Sequence, residues 1–235
     1  DSLQLLKECG IELRNVKDRL KTVSENFPLE VFFLRDDDIP EYVEDGVADI
    51  GIVGQNVLAE KGRSVIPVQD LGFGRCRLSI AIPKSVPYDN IKSLEGKRIA
   101  TSYPKVVSQY LQRNGISASI HEISGSVEIA PGIGLADVVA DLVSSGGTLF
   151  MNGLKETETI LKSEAVLIAN KDLSKEKMAI VSKILFRFEA LKAAKHNKYI
   201  LLNAVFGPSR SGQKPPLLPP TVKLSPLPKT KRQMM

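Results

Sequence analysis

A chain of 235 residues with 43% apolar and 25% charged side chains can bury a core in one or two domains, and its balance is that of an ordinary soluble protein. No apolar run approaches the 18 or so residues of a membrane span, the start lacks a basic-then-apolar targeting pattern, and Cys9 and Cys76 alone make neither a disulfide framework nor a metal site, so a cytoplasmic protein without a membrane partner is expected. The net charge of +5 does not point to nucleic acid, because Phe206 to Met235 holds six basic residues and no acidic one, leaving the rest of the chain near neutrality.

Taken in order, Ser2 to Cys9 reads as a helix closed by Gly10. Leu29 to Leu34 is strand-like, Ile39 to Asp45 a short helix closed by Gly46, and Asp49 to Val53 a buried strand. Gly54 opens a helix over Gln55 to Glu60, and Arg77 to Ile82 alternates as a strand does. The pattern restarts after Pro83 with strand Arg98 to Thr101, helix Lys105 to Arg113 and strand Ser117 to Glu122. Such alternation indicates an α/β layered fold. An internal echo, Gly46-Val-Ala-Asp49 before IGIVG and Gly134-Leu-Ala-Asp137 before VVADLV, suggests two lobes. The helix Lys175 to Lys195, apolar near helical spacing, would return the chain to the first lobe.

The central stretch is Glu128 to Leu149, EIAPGIGLADVVADLVSSGGTL. Its valines favour a buried strand over Ala136 to Val143, with Asp137, Val139, Asp141 and Val143 on one face and the two aspartates about 13 Å apart, too far for a dyad. Ser144, Ser145, Gly146, Gly147 and Thr148 follow at the strand's carboxyl end. Two glycines let the backbone turn its N–H groups onto one spot, and three hydroxyls add neutral donors. The loop has no Lys, unlike a nucleoside-triphosphate loop, so a phosphate monoester fits better. Carboxylates beside such a loop suit the hydroxyls of a sugar phosphate.

Other candidates lie upstream. Arg35 to Asp38 sets a cation beside three carboxylates, suited to Mg²⁺ or a nucleotide, with Asp38 as a helix cap the alternative. Gly54, Gln55 and Asn56 begin a helix, and Thr101-Ser102-Tyr103-Pro104 begins another, each a place for an anion; Tyr103 also suits stacking on a base. Asp49 reads as structural from its surroundings. Lys155 and Glu156 read as a solvated face beyond a helix starting at Leu149. His121 and His196 have no partners that would make a hydrolase triad or a zinc motif.

The run GSVEIAPGIGLADVVADLVSSGGTLFMNGL resembles the corresponding block of the ATP phosphoribosyltransferase family, which opens histidine biosynthesis, and RDDDIP, GVADIGIVGQNVL and GKRIATSYP are similar to its other blocks. The resemblance runs from about Ser2 to Ala204. It implies transfer of the 5-phosphoribosyl group from phosphoribosyl pyrophosphate to N1 of ATP, with Mg²⁺, in a homo-oligomer. It also implies a bilobal fold like the type II periplasmic binding proteins, two lobes with a cleft between: residues 1–82 with 172–197, and residues 83–171 holding phosphoribosyl pyrophosphate. Glu128 and Asp141 would accept the ribose hydroxyls and Ser144 to Thr148 grip the 5-phosphate. ATP would lie near Arg35, Asp37, Asp49, Gly54, Asn56, Ser102 and Tyr103.

The family's first strand and a loop with Lys, Gly and Arg are expected to be missing. KYILLNA from Lys198 resembles the start of the family's regulatory domain, after which seven of fourteen prolines and no apolar period read as a disordered tail, explained by a shifted reading frame. Two other readings stay open: an inactive fragment of this enzyme, and a bilobal binding protein for a small anion without catalysis.

Overall fold

The computed structural model describes residues 1–14 and 20–196. Residues Asp1–Asn197 form one compact unit. Its elements, in order, are α1 (Ser2–Glu8), the strands β1 (Lys21–Val23) and β2 (Glu30–Phe32), α2 (Ile39–Glu44), β3 (Ile50–Gly54), α3 (Gln55–Lys61), β4 (Ile66–Asp70) and β5 (Cys76–Pro83). They continue with β6 (Arg98–Thr101), α4 (Pro104–Arg113), β7 (Ser119–Glu122), β8 (Val138–Val143), α5 (Gly147–Met151), β9 (Leu154–Ser163), β10 (Ala165–Ala169) and α6 (Lys175–His196).

Two sheets define the two lobes. The small one has the order β3-β10-β4, all antiparallel, and the large one β7-β6-β8-β5-β9. β6 runs parallel to β7 and β8, while β5 runs antiparallel to β8 and β9. Between Val127 and Ile129 a short 3-10 helix lies over β8.

Side-chain alternation explains the layers. In the small sheet Leu167 joins Ile184 and Phe188 of α6 and Leu6 of α1 on one face, while Val53, Val166 and Ile168 join Val43 of α2 and Val57 of α3 on the other. β10, AVLIA, is buried along its whole length because it is the middle strand with helices on both sides. In the large sheet Leu78, Ile80 and Ile82 pack with α4, and Ala81, Val139 and Val143 pack with Val127 and Leu149.

The strands move the expected lobe limits. Arg77 to Ile82, ahead of Pro83, was expected to close the first lobe, yet β5 pairs with β8 and β9 and so belongs to the second. β10 lies in the small sheet, so the chain recrosses at Glu164, before the expected limit of 171/172. The two crossings are laced together: Leu71 N–H donates to Ala165 O, Ala165 N–H to Phe73 O, and Arg75 pairs with Glu164 at 3.1 Å. The expectations for Lys198 onward, the remnant strand and the tail, lie outside the described residues.

Among the described residues β3 has a strand partner on one edge only, and a cavity of about 490 Å³ separates it from the stretch Pro28 to Leu34, floored by Ile184 and Phe188.

Asp137 is a fold residue. Its carboxylate accepts from the Arg98 side chain at 2.8 and 3.2 Å and from the Arg98 backbone N–H at 3.0 Å, which ties the start of β8 to β6. The Arg98 side chain, and then its N–H, hold the Asp137 pKa at about 2. A depressed carboxylate stabilises the fold above its unfolded pKa of about 4 and loses that contribution as the pH falls toward 2. Asp137→Asn should therefore flatten the fall in melting temperature between about pH 4 and 2, by a small amount because both partners are about two-fifths exposed.

Candidate active site

One face of the large sheet changes character along its length. Paired residues of antiparallel strands share a face, so the register places Ala81 beside Val139, Ser79 beside Asp141 and Arg77 beside Val143. Ala81 and Val139 are buried apolar neighbours, whereas Arg77, Ser79 and Asp141 make the other end polar. That polar end lies where β8 stops and Ser144 begins. Glu128, in the 3-10 helix over this face, is close enough to Asp141 to raise its pKa. Burial is the larger cause, and the Leu142 N–H, donated to Asp141 Oδ1 at 2.7 Å, opposes both. The structure therefore places Glu128 within electrostatic reach of Asp141.

The loop beyond Asp141 is open to solvent at Ser144, Ser145, Gly147 and Thr148. Gly146 carries the turn, with φ of +82°, where a side chain is strained whatever the space. Gly147 has ordinary φ, and an added Cβ would meet only Ser145 Oγ at 3.7 Å. The conformational requirement thus rests on Gly146 rather than on both glycines. Gly147 N–H leans on Ser145 Oγ at 3.5 Å, while the backbone N–H groups of Ser145, Gly146 and Thr148 have no acceptor among the described residues. Three donors within four residues, unused and exposed, form a cradle for an anion.

Across the lobes the contact is made by Asn56 and Tyr103. Asn56, 6% exposed, donates through Nδ2 to Tyr103 Oη at 2.9 Å. Its Oδ1 accepts from Ser163 Oγ at 2.8 Å, and Ser163 Oγ in turn accepts the Asn56 backbone N–H at 3.0 Å. Gly54 allows this arrangement, since a Cβ there would come within 2.2 Å of Asn56 Oδ1. Burial pushes the Tyr103 hydroxyl up to about 12, with Asn56 opposing and Asp141 and Asp37 adding. Tyr103 thus sits within electrostatic reach of both Asp141 and Asp37, and it keeps its proton to donate.

Both expected helix-start anion sites are satisfied internally. The N–H groups of Lys105 and Val106 at the start of α4 each donate to Glu60 of α3 at 2.9 Å. Ser102 Oγ donates to Ile123 O at 2.6 Å. At α3, Gln55 N–H donates to Glu164 O and Asn56 N–H to Ser163 Oγ. In place of open anion sites these helix starts give contacts between lobes.

Other expectations do not converge. Asp49 pairs with Lys177 of α6 at 2.7 Å, at the end of β3 away from Gly54, about 16 Å along the strand. Arg35, Asp36 and Asp38 are exposed, and Asp38 makes no side-chain cap of α2. Among the described residues no group of three or more His, Cys, Asp or Glu side chains is arranged for a metal ion. Glu156 is not on a helix face: it lies on β9, paired with Arg77 at 2.5 Å and accepting from Ser79 Oγ at 2.8 Å. Sequence reasoning missed Arg77, Ser79, Glu60 and Ser163 as site residues; the signal at hand was the alternation over Arg77 to Ile82, which puts Arg77 and Ser79 on one face.

Comparison with known proteins gives this geometry its family. The sequence model of ATP phosphoribosyltransferase matches residues 35–190, a span that includes every site residue named above. The chain belongs to the ATP phosphoribosyltransferase family. It is 60% identical over 203 residues to the ATP phosphoribosyltransferase of Cytophaga hutchinsonii, covering 86% of this chain and 71% of the relative. It is 55% identical over 204 residues to that of Parabacteroides distasonis, covering 87% and 72%. Among solved structures, the ATP phosphoribosyl transferase (HisG:HisZ) complex from Thermotoga maritima matches with a TM-score of 0.71 at 28% identity, over 82% of this chain and 92% of that one. The substrate-binding protein of an amino acid ABC transporter matches at 0.56 with 12% identity, over 83% and 80%, and shows the bilobal fold alone. No helix among the described residues is long and apolar enough to cross a membrane.

Proposed function

We propose that this ATP phosphoribosyltransferase holds the 5-phosphate of phosphoribosyl pyrophosphate on Ser144, Ser145, Gly146, Gly147 and Thr148, with Glu128 and Asp141 accepting the ribose hydroxyls. The observation that carries this reading is the set of unused N–H groups at Ser145, Gly146 and Thr148, one short loop beyond the Glu128 and Asp141 pair. ATP lies in the cleft at Asn56 and Tyr103, with Asp37, Gly54 and Ser102 near and Arg35 as an exposed cation for its phosphates. Asp49 takes a structural part, consistent with its bond to Lys177.

N1 of ATP attacks C1 of the ribose while the bond from C1 to pyrophosphate breaks, giving N1-phosphoribosyl-ATP and pyrophosphate. Charge builds on the sugar ring and on the departing oxygen, so the protein's task is to fix geometry and stabilise charge rather than to supply a strong base. Glu128 and Asp141 lie where positive charge on the ring is favoured, and Tyr103 has a protonated hydroxyl at the cleft. The family's use of a metal fits Mg²⁺, which when bound would supply positive charge for the departing pyrophosphate; because no three acidic side chains among the described residues are arranged to hold it, the ion would draw most ligands from substrate and water. A homo-oligomer in the cytoplasm is the setting we propose.

Mixing the full chain with both substrates and Mg²⁺ should produce phosphoribosyl-ATP, followed by its ultraviolet absorbance and reversed by pyrophosphate. Binding of phosphoribosyl pyrophosphate without product would favour the binding-only reading, and absence of both would remove the assignment.

A further inference from the structure

Arg77 is outside the residues assigned to substrate, yet its guanidinium is placed with unusual economy. Nε and Nη2 donate to the two oxygens of Glu156, each at 2.5 Å, and Nη1 donates to Ser144 O at 3.4 Å. Glu156 is itself fixed by Ser79 Oγ at 2.8 Å, and Ser79 is fully buried. The carboxylate comes from β9 and the guanidinium from β5, strands that are neighbours through eight paired positions. A bidentate pair between rigid strands fixes the plane of the fork. Its remaining arm rests on the first carbonyl of the loop.

That carbonyl matters because a trans peptide unit is planar and points its C=O and N–H in opposite directions. Holding Ser144 O therefore fixes the aim of Ser145 N–H, one of the three unused donors. We propose that Arg77, locked by Glu156 and Ser79, is a positioning residue that preorganises the Ser144–Thr148 loop for the 5-phosphate of phosphoribosyl pyrophosphate; this rests on the reading of that loop as the phosphate site. Arg77 makes no bond to Asn56 or Tyr103, where ATP is placed, so ATP binding should not depend on it.

The test uses the full chain with Arg77→Gln, Arg77→Lys and Glu156→Gln. Backbone order parameters of the amides from Ser145 to Thr148, measured without ligand, should fall in Arg77→Gln from about 0.85, the value of a rigid backbone, toward 0.6 or less, as expected when the bond that holds the Ser144 carbonyl is lost. KM for phosphoribosyl pyrophosphate should rise by about tenfold or more with KM for ATP within about twofold. Arg77→Lys should restore only part, since an ammonium cannot grip both Glu156 oxygens and a carbonyl in one plane. Unchanged loop order parameters in Arg77→Gln, or equal loss of both substrates together with a fall in melting temperature, would overturn the proposal. If Arg77→Gln does not fold, the same readings on Arg77→Lys and Glu156→Gln decide. The order parameters are read without ligand, so a wild-type chain that fails to bind phosphoribosyl pyrophosphate would remove the phosphate-site reading while they still judge the positioning claim.

Discussion

Replacing Asp141 with Asn should weaken phosphoribosyl pyrophosphate by about 1 to 3 kcal/mol, the range for a hydrogen bond to a charged group, and should raise the melting temperature at neutral pH. Burial, helped by Glu128, raises the Asp141 pKa, so the fold favours its neutral form. The contribution of such a group is fully present below the ordinary carboxylate pKa near 4 and is lost as the pH rises through its own higher value. Above the ordinary carboxylate pKa the carboxyl group at Asp141 therefore costs the fold stability, and Asn, whose Oδ1 can still accept the Leu142 N–H, removes that cost. Function and stability are set against each other at this position. ATP affinity should barely change. Calorimetry with each ligand and thermal melts across pH 4 to 8 check both halves; a variant that melts lower, or that loses ATP instead, would contradict the role assigned to Asp141.

Gly146→Val should abolish measurable binding of phosphoribosyl pyrophosphate and leave the fold standing. The residue sits at φ of +82°, a region costing a β-branched side chain about 1 to 3 kcal/mol, so the loop would refold around it. The surrounding loop is solvent-exposed, and the nearest atom to an added Cβ is Val143 Cγ1 at 3.8 Å, so the strain stays local. Gly147→Val, at ordinary φ, should cost far less. Equal losses from the two substitutions, followed by calorimetry, would show that the loop's conformation does not depend on Gly146.

The Glu128 to Leu149 stretch was legible because much of its chemistry is local: a buried strand and the Gly-rich turn that follows it are each written in a few consecutive residues, whereas Glu128 reaches Asp141, thirteen residues on, only because its 3-10 helix lies over the strand. The same holds for β6, expected and found at Arg98 to Thr101. What escaped depends on partners far along the chain. β9, LKETETILKS, looks like a solvated face because seven of its ten residues are charged or hydroxylated, and only pairing with β5 gives them neighbours. Glu156 gains its meaning from Arg77, 79 residues away. β4 was hidden by Pro67, tolerated because β4 is an edge strand of the small sheet. The α4 start did read as an anion site, but sequence could not show that Glu60 supplies the anion.

The central claim, that Ser144 to Thr148 holds the sugar's 5-phosphate, is tested most directly by phosphorus NMR of phosphoribosyl pyrophosphate titrated with the chain. The 5-phosphate resonance should shift and broaden with the wild type, and should stay at its free position with Ser145→Ala/Thr148→Ala at the same concentration. A 5-phosphate resonance that responds equally to both proteins, or a wild type that moves only the pyrophosphate resonances, would contradict it.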